Sequence, residues 1–316
     1  MRIALIGCGN IGSKRLNSIK RDKGTKVQII IGKKKPSKVV DYLASKMSKK
    51  FNCKYSNQIN DALKENIQSV ILSTQPEFFM NYGKKILNAK KNLLIEKPLG
   101  LNSKQAKLLT SLARKNKVYL KTGFNLRFDD GIMLAKKLLT KKNIGRIYFF
   151  KIEYVNGTAK SNKNGVGSMF DIGSHSLNLF EYFISKNFKI MNNSSQKNEY
   201  FKDDNGFITI KSANVLGFIH HSFVRWENKF FLEISGEKGS ITVDSLPKWG
   251  KQTVILSKRV FPSGKPKKKK WIFTKDNSWY NEWNFFEGQV RKKKFKEIDE
   301  GYITMRNIDL IKSLKR

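Results

Sequence analysis

The sequence contains little that is typical of an oxidising compartment or a membrane. There are two cysteines in 316 residues, Cys8 and Cys53, and neither their number nor their spacing is typical of a disulfide framework or a zinc site. No apolar run approaches the ~20 residues of a membrane helix, and the apolar stretch at residues 3–6 is too short for a signal peptide. These absences predict a cytoplasmic protein with no metal site and no membrane partner.

Acidic residues are also scarce: 25 Asp and Glu stand against 63 Lys and Arg, a net charge of +38. Such a balance can indicate nucleic-acid binding, but the lysines are spread along the whole chain, so we expect no nucleic-acid partner. Lysine and arginine are dense at residues 267–270 and 291–294. We expect a solvated loop and a solvated helix end there, with a site for a phosphate-bearing substrate or a polyanion as the alternative.

Apolar periodicity divides the chain into two predicted domains. Up to residue 122, short apolar runs alternate with helical patterns, which predicts a parallel sheet with right-handed crossovers, a doubly wound Rossmann domain. Residues 123–316 change to a helix, a long strand, a glycine-led helix and then an antiparallel sheet, an α+β domain that closes with a helix at about 302–316. The predicted strands are 2–6, 27–31, 69–73, 92–96, 118–122, 146–155 and several within 206–273, and the predicted helices are 11–20, 37–47, 76–89, 103–115, 131–141 and one that follows the glycines after residue 165.

A glycine-rich loop directly follows the first predicted strand. Gly7, Gly9 and Gly12 form the G-x-G-x-x-G pattern, in which the first glycine permits a tight turn, the second lets a pyrophosphate approach the backbone, and the third lets the helix pack on the strand. Asn10 and Ile11 lie inside this pattern, where the N–H groups of a helix N-terminus favour phosphate. The pattern predicts a dinucleotide cofactor.

The second strand is followed by Gly32 and three lysines, with no acidic residue where NAD-binding proteins hold the ribose hydroxyls. Lys33 and Lys34 would attract the 2′-phosphate of NADP. We therefore favour NADP, with NAD as the alternative because lysine is common throughout this chain.

Lys97 directly follows the predicted strand at 92–96 and precedes Pro98. Ligands of open α/β sheets bind at the carboxyl ends of the strands, where a lysine can stabilise negative charge that develops on a substrate oxygen. Thr74 and Glu96, at the ends of neighbouring strands, are candidate cofactor contacts.

Asp171 and His175 are four residues apart, so in a helix they share one face. A carboxylate beside an imidazole can orient it as a general acid–base. The other histidines, His220 and His221, are adjacent in a predicted strand, so one of them should face inward and the other outward.

Together these residues resemble the Gfo/Idh/MocA oxidoreductases, the group of glucose–fructose oxidoreductase and inositol dehydrogenase. The resemblance rests on the glycine loop and on four further segments in the family's order: residues 96–98, 123–128, 171–175 and 236–241. It spans nearly the whole chain.

The resemblance implies a Rossmann domain followed by a substrate domain with a large open, mainly antiparallel sheet. It implies hydride transfer between nicotinamide and a secondary alcohol or ketone of a sugar, polyol or nucleotide-sugar-like substrate. It also assigns proton handling and substrate polarisation to Lys97 and His175, with Asp171 beside them. Many relatives are homo-oligomers, dimers or tetramers, through the outer face of the open sheet. A non-catalytic NAD(P)-binding sensor is the alternative function.

The chain departs from the family pattern at several positions. Asn178 stands where relatives often carry aspartate, Phe79 where they often carry histidine, and a tryptophan common ahead of the glycine cluster is not evident. For Asn125 and Arg127 the alternatives are a contact with substrate or cofactor and a structural role in the seam between the two domains.

Overall fold

The computed structural model describes residues 1–19, 22, 24–32, 38–160, 165–200, 202–293, 295–296 and 298–314, with the side chains of 38–41 left aside. It contains two compact units. The first unit comprises Met1–Phe124 and Trp279–Arg306, and the second comprises Asn125–Ser278 and Asn307–Arg316.

The first unit contains the parallel sheet that the alternating pattern predicts. Its described strands follow the order β3-β2-β1-β4-β5-β6, and every pairing is parallel; this is the doubly wound order of dinucleotide-binding sheets. The elements are β1 (Arg2–Ile6), α1 (Asn10–Ile19), β2 (Lys26–Ile31), α2 (Lys38–Lys50), β3 (Lys54–Ser56), β4 (Ser69–Leu72), α3 (Phe79–Asn88), β5 (Asn92–Glu96), α4 (Ser103–Lys115) and β6 (Leu120–Gly123).

A segment from late in the sequence completes this unit. Residues 279–306 were assigned by the sequence patterns to the second domain, but they pack in the first. The reason is apolar burial: Trp283 and Phe286 are 1% and 0% exposed and belong to the same core cluster as Ile3 and Leu5 of β1. They lie on α7 (Ser278–Arg291), which is followed by α8 (Glu300–Ser313).

The second unit is built on a large, mainly antiparallel sheet, as predicted. Its described strands follow the order β14-β13-β12-β11-β7-β10-β9-β8, in which β7 and β10 pair in parallel. The elements are α5 (Asp130–Thr140), β7 (Ile147–Val155), α6 (Ser174–Phe183), β8 (Lys189–Gln196), β9 (Asn205–Ser212), β10 (Val215–Ser222), β11 (Lys229–Gly236), β12 (Gly239–Asp244), β13 (Gln252–Val260) and β14 (Gly264–Phe273).

One face of this sheet is covered by helices and the other is open. Phe150 on β7 is 0% exposed and meets Phe180 of α6 edge-to-face, with ring centroids 5.3 Å apart. On the opposite face, Phe207 and Phe218 are 54% and 43% exposed. Successive side chains of a strand point to opposite faces of the sheet. One row of side chains is therefore packed under the helices, and the other row is exposed.

The expectation of a solvated loop at residues 267–270 is wrong, because these lysines lie on β14. Lys268 and Lys269 stand opposite Ser257 and Leu256 of β13, and the lysine side chains are exposed. Lysines on a terminal strand prevent further strands from adding to a sheet. Of the second run, Arg291 is the last residue of α7 and pairs with Glu287 at 2.7 Å.

In the described part of the chain, no helix combines the length and the apolar content needed to cross a membrane.

Candidate active site

The glycine loop connects β1 to α1 in a conformation that the sequence pattern requires. Gly7 has φ +89°, a region that favours glycine, and its amide donates to the carbonyl of Ile31 at 3.1 Å. A Cβ on Gly12 would lie 2.2 Å from the carbonyl oxygen of Gly7, and a Cβ on Gly7 would lie 2.8 Å from Cγ2 of Thr74. The first and third glycines therefore allow close packing of the loop, the helix and the end of β4.

The second glycine has a different environment. A Cβ on Gly9 would meet no atom of the described chain within 4 Å. Helix α1 begins at the next residue, Asn10, and both Asn10 and Ile11 are exposed. Open space beside a backbone at a helix N-terminus is what a pyrophosphate needs, so the residues of this loop fit a dinucleotide.

Lys97 lies on the same edge of the sheet as the glycine loop. The last residues of β1 and β4, Ile6 and Leu72, are in register, and Leu72 is in register with Ile95 of β5. Adjacent strands are about 4.8 Å apart, so the backbone where β5 ends is about 10 Å from the backbone where β1 ends. Lys97 is half-buried at this edge. The structure thus brings together two of the predicted site elements, the glycine loop and Lys97.

Glu96 has a buried partner inside the protein, and its predicted contact with the cofactor stays a prediction. Arg15 of α1 donates to Glu96 through Nε and to Glu282 of α7 through Nη1 at 2.6 Å. Arg15 is 2% exposed, and its guanidinium lies 4.7 Å from the ring centre of Trp279. This pairing ties the residue before Lys97 to the helix that follows the glycine loop.

A second buried cation extends this cluster. Lys121 of β6 pairs with Glu300 and lies 3.9 Å from Glu282, and all three side chains are 0–1% exposed. Burial raises the pKa of Glu282, although Arg15 and Lys121 oppose that effect. For Arg15, burial acts to lower the pKa, but Glu96 and Glu282 outweigh it and raise the pKa. The cluster contains three carboxylates and two cations.

The second unit holds Asp171 and His175 at a helical irregularity. Residues Met169–Gly173 form a π-helical turn that runs directly into α6. The prediction that Asp171 and His175 share a face assumed α-helical spacing, so their pairing stays a prediction. His175 is 7% exposed. Single π-turns inside helices are frequent at functional sites, which agrees with a catalytic role for this segment.

Sequence reasoning missed the side chains that pack around His175. Tyr154 of β7 is 5% exposed, and its ring centre lies 6.1 Å from that of His175. Tyr154 also packs against Trp249 and accepts a hydrogen bond from Lys248 Nζ at 3.0 Å. Among 63 basic residues, a single lysine carries no local signal; a tryptophan in a short connection between two strands is the one hint the sequence offers.

The residues with open roles have partners within the second unit. Arg127 donates through Nε to Asn178 Oδ1 at 2.7 Å and stacks over Tyr182. Asn125 donates to Ser278 at 2.8 Å. The amide of Asn178, where relatives often carry aspartate, therefore accepts a hydrogen bond from a buried arginine.

The remaining sequence expectations are placed as follows. Phe79, a departure from the family pattern, is 1% exposed in the core of the first unit. His221 is 1% exposed and faces inward, whereas His220 is half-buried and stacks on Phe207 at 4.1 Å. Lys33 and Lys34 lie outside the described residues.

Comparisons with known proteins agree with both units. Residues 1–124 match the model of an oxidoreductase family with an NAD-binding Rossmann fold, and residues 132–242 match the model of the GFO/IDH/MocA C-terminal domain. An oxidoreductase from Formosa agariphila is 23% identical over 252 residues, 75% of this chain and 77% of the relative. Glucose-6-phosphate 3-dehydrogenase from Bacillus subtilis is 24% identical over 174 residues, 50% of this chain and 47% of the relative.

Solved structures share the fold over nearly the whole chain. A levoglucosan dehydrogenase in complex with NADH superposes with a TM-score of 0.85 at 17% identity, covering 99% of this chain and 96% of that one. A 3-ketoreductase from Actinomadura kijaniata in complex with NADP and TDP-benzene gives a TM-score of 0.84 at 16% identity, covering 99% and 97%.

Proposed function

This chain belongs to the Gfo/Idh/MocA oxidoreductase family, and from that premise we propose that it is an NAD(P)-dependent dehydrogenase or reductase. Its substrate is a secondary alcohol or ketone of a sugar, a polyol or a nucleotide-sugar-like molecule. The observation that carries the proposal is the shared sheet edge of the glycine loop and Lys97 in the first unit. Relatives named as levoglucosan dehydrogenase, 3-ketoreductase and glucose-6-phosphate 3-dehydrogenase support the sugar class.

The cofactor is proposed to be NADP. Gly7, Gly9 and the N-terminus of α1 would hold the pyrophosphate, and the residues after β2 would contact the ribose. Gly32 follows that strand and precedes three lysines, which favour a 2′-phosphate over free ribose hydroxyls. When bound, the nicotinamide would supply the hydride acceptor or donor.

Lys97 and His175 are proposed to act on the same substrate oxygen. In the oxidation direction, the imidazole of His175 accepts the hydroxyl proton while the ammonium of Lys97 donates a hydrogen bond to that oxygen and stabilises its developing negative charge. In the reduction direction the proton returns from His175. Asp171 is proposed to hold the imidazole in the correct tautomer. Arg15 and Glu96 are proposed as positioning residues, because their ion pair fixes the end of the strand that precedes Lys97.

The proposal is tested first by ligand binding and then by turnover. NADP is expected to raise the unfolding temperature more than NAD at equal concentration, since the increase grows with affinity. Sugars, polyols and nucleotide sugars are then screened with the preferred cofactor. Lys97→Met and His175→Asn should each lower kcat by about 10²–10⁴-fold, while the Kd of NADP stays within about threefold of the wild type.

Two results would contradict this assignment. Unchanged turnover in Lys97→Met would remove that residue from the mechanism. Tight cofactor binding with no NAD(P)H consumption across the carbonyl panel would favour the non-catalytic sensor.

We also propose that the open face of the large sheet forms a contact between copies of this chain. Phe207, Leu216 and Phe218 are 41–54% exposed there. Phe207 and Phe218, together with His220, line a depression of about 630 Å³. Contiguous exposed apolar side chains mark interaction sites. Light scattering should give an oligomer for the wild type and a monomer for the Phe207→Asp/Phe218→Asp variant, whereas Leu108→Asp, on α4, should leave the mass unchanged. A monomeric wild type would refute this contact.

A further inference from the structure

Lys248 lies in a short, well-anchored connection between β12 and β13. Residues Pro247–Trp249 form a single 3-10 turn. The residue before it, Leu246, is 1% exposed. After it, the buried Gln252 donates to Asp129 at 2.8 Å and to the carbonyl of Ser245 at 3.3 Å. Because both ends are held in this way, the turn presents Lys248 in a defined position.

The ammonium of Lys248 lies between aromatic rings. It donates to Tyr154 Oη at 3.0 Å and lies 4.5 Å from the ring centre of Trp249. The residue as a whole is exposed, although its ammonium is partly desolvated. Within the described residues, the hydrogen bond to Tyr154 is the one this ammonium makes, which leaves two of its three N–H donors for a ligand.

The surroundings of this ammonium are short of compensating charge. Desolvation lowers the pKa of Lys248, and the carboxylates of Asp276, Asp171 and Asp129 counter that effect in part. None of these three forms an ion pair with Lys248 in the described part of the chain. A partly desolvated cation gains most from a charged acceptor, since charge-assisted hydrogen bonds are about twice as strong as neutral ones.

Lys248 is also connected to the proposed general base. The hydroxyl oxygen of Tyr154 accepts its hydrogen bond, and the ring centre of the same tyrosine lies 6.1 Å from that of His175. Trp249 packs on the same tyrosine, with ring centres 5.9 Å apart. One aromatic side chain therefore separates a free cationic donor from the imidazole that is proposed to accept the substrate proton.

We propose that Lys248 is a specificity-determining residue that binds an anionic oxygen group, a carboxylate or a phosphate, on the substrate that His175 deprotonates. This inference rests on the proposed function, since it concerns the same substrate. The two available N–H donors take two oxygens of the anion. The indole of Trp249 offers an apolar surface to the C–H face of the sugar beside it. The substrate class thus narrows to acidic or phosphorylated sugars.

The experiment measures binding of three probes to the NADP-loaded protein by isothermal titration: gluconate for a carboxylate, glucose 6-phosphate for a phosphate, and glucose as the uncharged reference. The wild type is expected to bind at least one charged probe about tenfold or more tightly than glucose. Lys248→Met should remove that preference. Relative to the wild type, the affinity for the charged probe should fall about tenfold more than the affinity for glucose. Lys248→Arg should keep part of it. The stronger of the two charged probes identifies the anion.

Lys251→Met is the matched control, because it removes the same charge from an exposed lysine three residues along. It should retain the preference for the charged probe. The proposal is overturned if Lys248→Met binds the charged probes as the wild type does, if Lys251→Met loses as much as Lys248→Met, or if the wild type shows no preference for charge. NAD(P)H turnover is measured separately. An anion preference that depends on Lys248 supports this site even if none of the three probes is turned over.

Discussion

The buried cluster of Arg15, Glu96 and Glu282 allows one stability prediction to be worked out from the structure. Arg15→Met removes the cation that both carboxylates contact, Glu282 at 2.6 Å. Breaking a buried pair by removing one partner costs about 3–5 kcal/mol, because the remaining charge is left uncompensated. We expect the free energy of unfolding of the first unit to fall by about that amount.

Glu282→Gln should behave differently, although it removes a partner of the same arginine. The cluster has one carboxylate more than it has cations, and burial raises the pKa of Glu282. Glutamine keeps the shape and an acceptor oxygen, so the expected loss at neutral pH is below about 1.5 kcal/mol. A raised folded-state pKa means that the wild type is stabilised below the unfolded pKa of about 4.5 and loses that stability as the pH rises. The stability difference should therefore shift in favour of Glu282→Gln at higher pH.

Hydrogen exchange measures these effects where they occur. Tryptophans lie in both units, so amide exchange of peptides from α1 and β5 reports the first unit more directly than fluorescence. The matched control is Arg114→Met, in the same unit, whose pair with Asp299 is 56% and 39% exposed; a surface pair contributes ~0–1 kcal/mol. If Arg15→Met costs no more than Arg114→Met, or if Glu282→Gln costs as much as Arg15→Met, the reasoning about this cluster is refuted.

Two further predictions concern the glycine loop and a buried carboxyl. Gly9→Ala should fold normally, because its Cβ would meet no atom of the described chain within 4 Å, yet it should bind NADP at least about tenfold more weakly. Gly12→Ala would place a Cβ 2.2 Å from the carbonyl oxygen of Gly7, so its free energy of unfolding without cofactor should fall by about 1–3 kcal/mol. Calorimetry and titration separate the two, and equal behaviour would contradict the assigned roles. Burial raises the pKa of Asp129 to about 6, so the stability that its proton contributes is complete below about pH 4 and lost as the pH rises to about 6. In urea unfolding, Asp129→Asn should remove this dependence of the free energy of unfolding on pH, a gain relative to the wild type of up to about 3 kcal/mol above about pH 6. An unchanged dependence on pH would refute the raised pKa of Asp129.

The first unit was predictable where local signals agree. The Arg2–Ile6, Asn92–Glu96 and Ser103–Lys115 elements have the predicted bounds, because buried parallel strands are apolar runs and the glycine loop has a positional code. The place of α7 was not predictable. It depends on the pairing of Arg15 with Glu282, which are 267 positions apart, and on the packing of Trp283 in the core around β1. Hydrophobic periodicity is a local property of the sequence and predicts neither contact.

Sequence motifs supplied candidate residues for the site, but not the structure that surrounds them. A four-residue spacing suggested one helical face for Asp171 and His175, yet the backbone forms a π-turn at Met169–Gly173, which side-chain spacing does not reveal. The pairing of Glu96 with Arg15 is visible only in the tertiary structure, because 81 positions separate the two residues. Lys248 and Tyr154 are 94 positions apart in the sequence. They meet because of the order of the strands in the sheet, which local sequence patterns do not give.

The central claim is that this chain moves a hydride between a nicotinamide and a sugar carbon with the help of Lys97 and His175. The most direct measurement uses NADPH carrying deuterium at the transferable position of its ring, followed by mass spectrometry of the alcohol formed from the keto sugar selected in the screen. We predict that the deuterium appears on the product carbon in the wild type, and that Lys97→Met and His175→Asn lower its rate of transfer by about 10²-fold or more. Cofactor that binds stoichiometrically while no deuterium reaches any carbonyl substrate would contradict the account.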